Sequence, residues 1–180
     1  MVDLDGTLAR TADANQRAYA RALQEVGVII SAAELDTRVQ GRHWKQFLPM
    51  ILTEAGSQQD PLPIAARKAV IYKEEIGKIE INTGLVQLLL SSKPHLKIAL
   101  VTSASRISVQ ALLQAHDLAS IFDVIVTGDD VQHHKPDPEA YWTAARLLDV
   151  RPEESLIYED SDIGVESARS FGGHVIRIVF

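Results

Sequence analysis

The chain has 180 residues, no cysteine and a formal net charge of −6. The lack of cysteine excludes disulfides, a thiol nucleophile and cysteine-based zinc sites, and the acidic balance argues against a nucleic-acid surface. Hydrophobic residues at 46% and charged residues at 23% fit one globular core, with or without a small insertion. No apolar run approaches membrane-spanning length and no basic, apolar leader is visible, so a cytoplasmic protein without membrane partners is expected. The six histidines show no pair at helical metal spacing, and His133 and His134 read as loop residues.

The first predicted strand is Val2–Asp5, interrupted by Gly6. Residues i and i+2 of an extended segment point to one side, so Asp3 and Asp5 are expected to reach one pocket. The same letters also suit a polar strand end running into an Asp-Gly turn. Two carboxylates that close repel, and a polyvalent cation relieves them. A carboxylate beside a cation can attack phosphorus while its neighbour handles the leaving group's proton.

Helix after helix follows. Thr11 or Asp13 can cap a first helix carrying Ala18, Ala22, Leu23 and Val26, which ends at Gly27. Ser31 and Glu34 form a capping box for a second. A third runs from Lys45 to Ala55 and stops at Gly56; Pro49 suits it only in the first turn. Pro61 or Pro63 opens a fourth, through Ala66, Val70 and Ile76 to Gly77. This stretch is too long for a simple crossover and reads as a separate helical unit, with hinges at Leu8–Ala12 and Ile79–Gly84.

From Gly84 onward helix and strand alternate, with strands near Ile98–Val101, Val124–Val126, Leu156–Tyr158 and Val175–Ile178, which implies a parallel sheet flanked by helices. Thr102 ends the first of these, and Ser103–Arg106 opens a helix through Ile107, Ala111, Leu112 and Ala115. A hydroxyl with free N–H groups there is a phosphate seat or simply a cap. In Lys135-Pro136-Asp137-Pro138, Asp137 suits an N-cap and Pro138 a first helical position before Tyr141, Ala144, Ala145 and Leu148. The prolines stiffen the segment that presents Lys135, which is either a solvated charge or a counter-charge to a phosphate and a carboxylate. The strand at Leu156 ends on Glu159-Asp160, and Ser161 or Asp160 can cap a helix through Val165, Ala168 and Phe171 to Gly172-Gly173. The two acids either complement a helix dipole or ligate a hard cation such as Mg²⁺. All the candidate site residues fall at C-terminal strand ends, where open α/β sheets bind ligands.

Asp-x-Asp-Gly-Thr-Leu, a strand-terminal Thr, Lys-Pro-x-Pro and Glu-Asp-Ser-x-x-Gly, in this order and at these intervals, resemble the haloacid dehalogenase-like hydrolase superfamily. The branch resembled most holds β-phosphoglucomutase and the small sugar-phosphate and phosphoglycolate phosphatases. The resemblance runs from Val2 to Val179. It implies a Rossmann-like, doubly wound parallel-sheet core (residues 1–11 and 80–180) with an inserted four-helix cap (residues 12–79). It further implies Asp3 as a nucleophile forming an aspartyl-phosphate, and Asp5 as the acid and then base. Mg²⁺ would be held by Asp3, the Asp5 carbonyl, Asp160 and Glu159, directly or through water. Thr102 and Ser103 would hold phosphoryl oxygens, with Lys135 offsetting charge. Dehalogenases expel halide, which needs no proton, and lack a carboxylate at Asp5, so phosphoryl chemistry is favoured.

Substrate choice falls to the loop Gly41-Arg42-His43-Trp44-Lys45. Arg42 suits a second anionic group, and Trp44 suits a sugar or packing between helices. Where β-phosphoglucomutase has a histidine in its first cap helix this chain has Asn15, and Trp44 replaces a phosphate-gripping arginine. A monomeric phosphatase of a small phosphorylated metabolite is therefore expected, ahead of a phosphosugar mutase and of a non-catalytic binding protein. Only Met1 and Val2 precede Asp3, whereas a central strand needs about five residues, so further residues are expected at one or both ends.

Overall fold

A computed structural model of the chain describes residues 1–39 and 41–180. Residues Met1–Asp3 run extended along the middle of a parallel sheet, Val2 bridging Leu100 on one side and Tyr158 on the other. Val2 N donates to Ala99 O at 2.8 Å and Asp3 N to Tyr158 O at 3.0 Å. The extended stretch is shorter than the strand predicted over Val2–Asp5. After Asp3 the chain folds back, Leu4 O accepting from Leu8 N at 3.0 Å and from Ala9 N at 2.9 Å. Asp3 and Asp5 therefore converge through a turn, not through strand alternation.

β1 (Ala9–Arg10) pairs antiparallel with β2 (Glu80–Ile81). This ribbon lies within the two predicted hinges and was not predicted, because two-residue strands carry no periodic signal. Between its strands lie α1 (Ala12–Gln24), α2 (Ala32–Val39), α3 (Trp44–Glu54) and α4 (Pro61–Glu75). Asp60 caps α4, its Oδ1 accepting from Leu62 N at 2.9 Å, and Pro61 takes the first helical position. α1 packs along α4, burying Ala18, Ala22 and Leu23 in one core with Ile64, Ile71 and Tyr72. Val70 is exposed, because the buried face of α4 runs through Ile64, Lys68 and Tyr72. Pro49 lies in the middle of α3, not in its first turn, and cannot make the bond to the Lys45 carbonyl.

Next come α5 (Thr83–Ser92), β3 (Ala99–Val101), α6 (Arg106–Ala115), β4 (Val124–Val126), α7 (Glu139–Leu148), β5 (Leu156–Glu159), α8 (Asp162–Phe171) and β6 (His174–Arg177). β3 pairs parallel with β4, Ala99 opposite Val124, and β5 with β6, Leu156 opposite His174. The Met1–Asp3 segment joins the pairs, so the order is β4, β3, residues 1–3, β5, β6. Alternation along β3 separates two cores. Leu100 packs with Leu85, Val109 and Leu112, whereas Ala99 and Val101 pack with Tyr141, Ala145 and Phe171. Helices thus cover both faces, as buried, continuously apolar strands require.

Two local expectations shift. α6 buries Val109, Leu112 and Leu113 and leaves Ile107 exposed, since packing partners, not the apolar letters of one helix, select the face. Pro138, not Asp137, is the N-cap of α7, although Asp137 Oδ1 still accepts from Glu139 N at 2.9 Å. Among the described residues no helix is long and apolar enough to cross a membrane.

Candidate active site

The strands around the sheet's centre deliver their groups to the same, C-terminal end of the sheet. Lys135, in the loop after β4, points its ammonium between the first segment and β5. Nζ donates to Asp3 Oδ1 at 2.8 Å, to Glu159 Oε1 at 2.6 Å and to Val101 O at 3.2 Å. All three charged side chains are buried. The Tyr141 ring lies 5.2 Å from the ammonium, and its hydroxyl donates to Glu159 Oε1 at 3.3 Å. Burial alone would push Lys135 down, but Asp3, Tyr141 and Glu159 outweigh it and hold the ammonium well above the usual lysine range. Burial pushes Asp3 up, opposed by Lys135 and reinforced by Glu159, Asp160 and Asp5.

Asp5 is steered separately. Thr11 Oγ1 and Asn15 Nδ2 donate to its Oδ1, the latter at 3.0 Å, and Thr102 Oγ1 donates to Oδ2 at 3.3 Å. Thr11, predicted as a possible helix cap, spends its hydroxyl on Asp5 instead. Behind Asn15 sits Lys68 of α4, its Nζ 2.5 Å from Asn15 Oδ1 and over the rings of Tyr72 (4.2 Å) and Tyr19 (4.8 Å). Burial holds Lys68 down at about 8, with Asp5 opposing. Sequence reasoning missed Lys68. Its signal was available: a lysine four residues from both Ile64 and Tyr72 on one helical stripe.

The acids Asp3, Glu159 and Asp160 each offer an oxygen within 4.8 Å of the others. Glu159 Oε2 accepts from Asp160 N, Ser161 N and Ser161 Oγ at 3.0 to 3.1 Å, while Oε1 takes Lys135 and Tyr141. Asp160 is freer, accepting from Thr7 Oγ1 at 3.1 Å, and burial followed by Glu159 pushes it up to about 6. Gly6 makes this approach possible: its φ is +87°, and a Cβ there would overlap the Asp160 carboxylate. Four carboxylates gather here and, among the described residues, Lys135 is the one cation in direct contact with any of them, through Asp3 and Glu159, which suits a hard cation bound through oxygen.

Asp3, Asp5, Thr102, Ser103 and Asp160 line one cavity with Asn15, Lys68 and, from the helical unit, Gly41, Arg42 and Trp44. Ser103 Oγ donates to Gly41 O at 3.0 Å, tying that loop to the strand end. Arg42 lines the cavity while its Nη1 donates to Thr37 O at 2.9 Å and Arg38 O at 3.3 Å, closing the end of α2. His43, expected among the substrate contacts, is buried away from the cavity.

A buried acid countered by lysine, beside a second acid on hydroxyl and amide donors and a third that could meet a cation, suits chemistry on an anionic ester. Residues 1–178 match the haloacid dehalogenase-like hydrolases. The chain is 34% identical over 174 residues to the phosphorylated carbohydrates phosphatase of Thermotoga maritima, covering 94% of this chain and 79% of that protein. A crystal structure of a CbbY variant from Rhodobacter sphaeroides with xylulose-1,5-bisphosphate superposes at a TM-score of 0.88 and 30% identity, over 98% of this chain and 83% of that one. The β-phosphoglucomutase of Clostridium difficile shares the fold, with a TM-score of 0.86 at 24% identity, over 98% and 82% of the two chains. The chain belongs to the haloacid dehalogenase-like hydrolases, in their phosphatase and phosphoglucomutase branch.

Proposed function

We propose that this protein hydrolyses the phosphate monoester of a small phosphorylated carbohydrate, with Mg²⁺ as cofactor and an aspartyl-phosphate on Asp3 as intermediate. One observation carries the reading: Asp3, held by buried Lys135, and Asp5, held by Thr11, Asn15 and Thr102, open onto one cavity. An Asp3 oxygen attacks phosphorus and the ester P–O bond breaks, Asp5 giving its proton to the departing sugar oxygen. Asp5 then takes a proton from water, whose oxygen attacks phosphorus to release phosphate and restore Asp3. Thr102, the Ser103 amide and Lys135 hold the phosphoryl group and offset its charge. Asp3, the Asp5 carbonyl and Asp160 would hold Mg²⁺; Glu159, with both oxygens engaged, would orient them or act through water. When bound, the cation supplies positive charge to phosphoryl oxygens.

Residues 12–79 act in this reading as a cap over a core of residues 1–11 and 80–180. Its loop contributes Arg42 for a second anionic group and Trp44 for the sugar; the named ligand of CbbY, a sugar bisphosphate, supports such a substrate class. The runner-up, a phosphosugar mutase, draws on the fold shared with β-phosphoglucomutase. Against it stands Asn15, an amide that cannot relay protons, on the acid–base carboxylate.

Purified protein with Mg²⁺ should release phosphate from p-nitrophenyl phosphate and from members of a sugar-phosphate panel, and chelation should abolish it. Asp3→Asn should be inactive, since an amide is a poor nucleophile; undiminished turnover by that variant removes the mechanism. Isomerisation without net phosphate release would put the mutase first, and silence across the panel would leave a binding protein.

A further inference from the structure

His43 immediately precedes Trp44 in the loop over the cavity, yet its ring turns towards the core. It is 1% exposed and stacks on His134, in the loop before Lys135, with centroids 4.4 Å and planes 29° apart. Gly128 admits it, because a Cβ on that residue would overlap the imidazole. Among the described residues, neither ring nitrogen of His43 nor Nδ1 of His134 has a hydrogen-bond partner. Asp129 Oδ1 stands 3.4 Å from His43 Nε2 without hydrogen-bond alignment. A buried polar atom left unbonded costs stability. An apolar ring would fill this space without that cost, so packing alone does not account for two imidazoles here.

We propose that His43 and His134 form a proton-operated latch: neutral, the two rings stack and hold the Trp44 loop on the core, and acid releases it. The inference rests on reading residues 12–79 as a cap.

The surrounding charges set its direction. Asp129 faces His43 and favours a proton there, whereas His134 and Lys45 oppose one. His134 in turn meets Lys45 and His133, which oppose a proton, and Glu139 and Asp129, which favour it. The outcome is that burial, then His134, hold His43 down at about 4, and burial, then Lys45, lower His134. An imidazole freed into water titrates near ~6.5. Between these values the shut state binds fewer protons than the open one. Closure is therefore fully favoured above about pH 6.5 and weakens as the pH falls towards 4. Release of one imidazole per latch raises the open-to-shut ratio by about tenfold per pH unit in that window.

Trp44 reports on the latch, its ring lying 5.4 Å from that of His43. The chain has two tryptophans, so Trp142→Phe leaves Trp44 alone. Its emission is followed from pH 7.5 to 4.5 with neither substrate nor metal, far-UV circular dichroism verifying the fold at each point. Emission should fall and shift to the red as the pH drops below about 6.5, and His43→Phe, whose ring stacks but cannot titrate, should abolish the transition. The same transition in His43→Phe, or pH-independent emission in the parent, overturns the latch. If His43→Phe does not fold, His43→Leu, equally unable to titrate, applies the same test. Because no substrate is present, either result stands whether or not the protein hydrolyses phosphate esters.

Discussion

Lys135→Met removes the ammonium that lies 2.8 Å from Asp3 and 2.6 Å from Glu159 and leaves those two buried acids facing each other. An exposed pair would contribute about 0–1 kcal/mol, but removing one partner of a buried pair costs about 3–5 kcal/mol. For a chain of this length that corresponds to a loss of roughly 6–20 °C in Tm. Calorimetric unfolding at pH 7 of the parent, Lys135→Met, Glu159→Gln and the double variant closes the cycle. Glu159→Gln should rescue the methionine variant by at least about 1 kcal/mol, because it removes the repulsion that the first change exposed. The pH dependence has a definite sign. Burial already raises Asp3, and without the opposing lysine its folded pKa rises further. The folded variant then binds more protons than the unfolded chain, so its stability is greatest at acid pH and is lost as the pH rises through the folded value. A methionine variant within 1 kcal/mol of the parent, or strictly additive changes around the cycle, would show that the buried charges are not coupled and would refute the reasoning.

Two further perturbations separate cation, phosphoryl and sugar. Gly6→Ala places a side chain at φ +87° and against Asp160; it should destabilise by about 1–2 kcal/mol and abolish the rise in Tm that Mg²⁺ gives the parent, as read by thermal scanning. Trp44→Ala and Arg42→Ala should raise KM for sugar phosphates while leaving p-nitrophenyl phosphate turnover largely intact, whereas Lys135→Met should slow all substrates alike; equal losses on large and small substrates would make the loop structural.

The family was legible from four short motifs because each binds its chemistry to a local backbone form. An Asp-x-Asp-Gly turn, a strand-terminal threonine, a proline-fixed lysine and a strand ending on two acids all announce themselves within a few residues. Apolar runs likewise located β3, β4 and β5 to within a residue or two, since a doubly covered sheet demands unbroken hydrophobicity; β6 was placed as closely, although most of it is exposed. Contacts distant in sequence were not legible. Lys68 reaches Asn15 across 53 residues, and the stacking of His43 on His134 depends on Gly128 leaving room for the His43 ring. Even the convergence of Asp3 and Asp5, expected from strand alternation, arises from a turn closed by the carbonyl of Leu4. Sequence by itself located the candidate groups and the strand ends that present them. Tertiary packing decided which acid each donor serves, that Thr11 holds Asp5 and that His43 leaves the cavity, because those choices depend on the space and charge left by residues far along the chain.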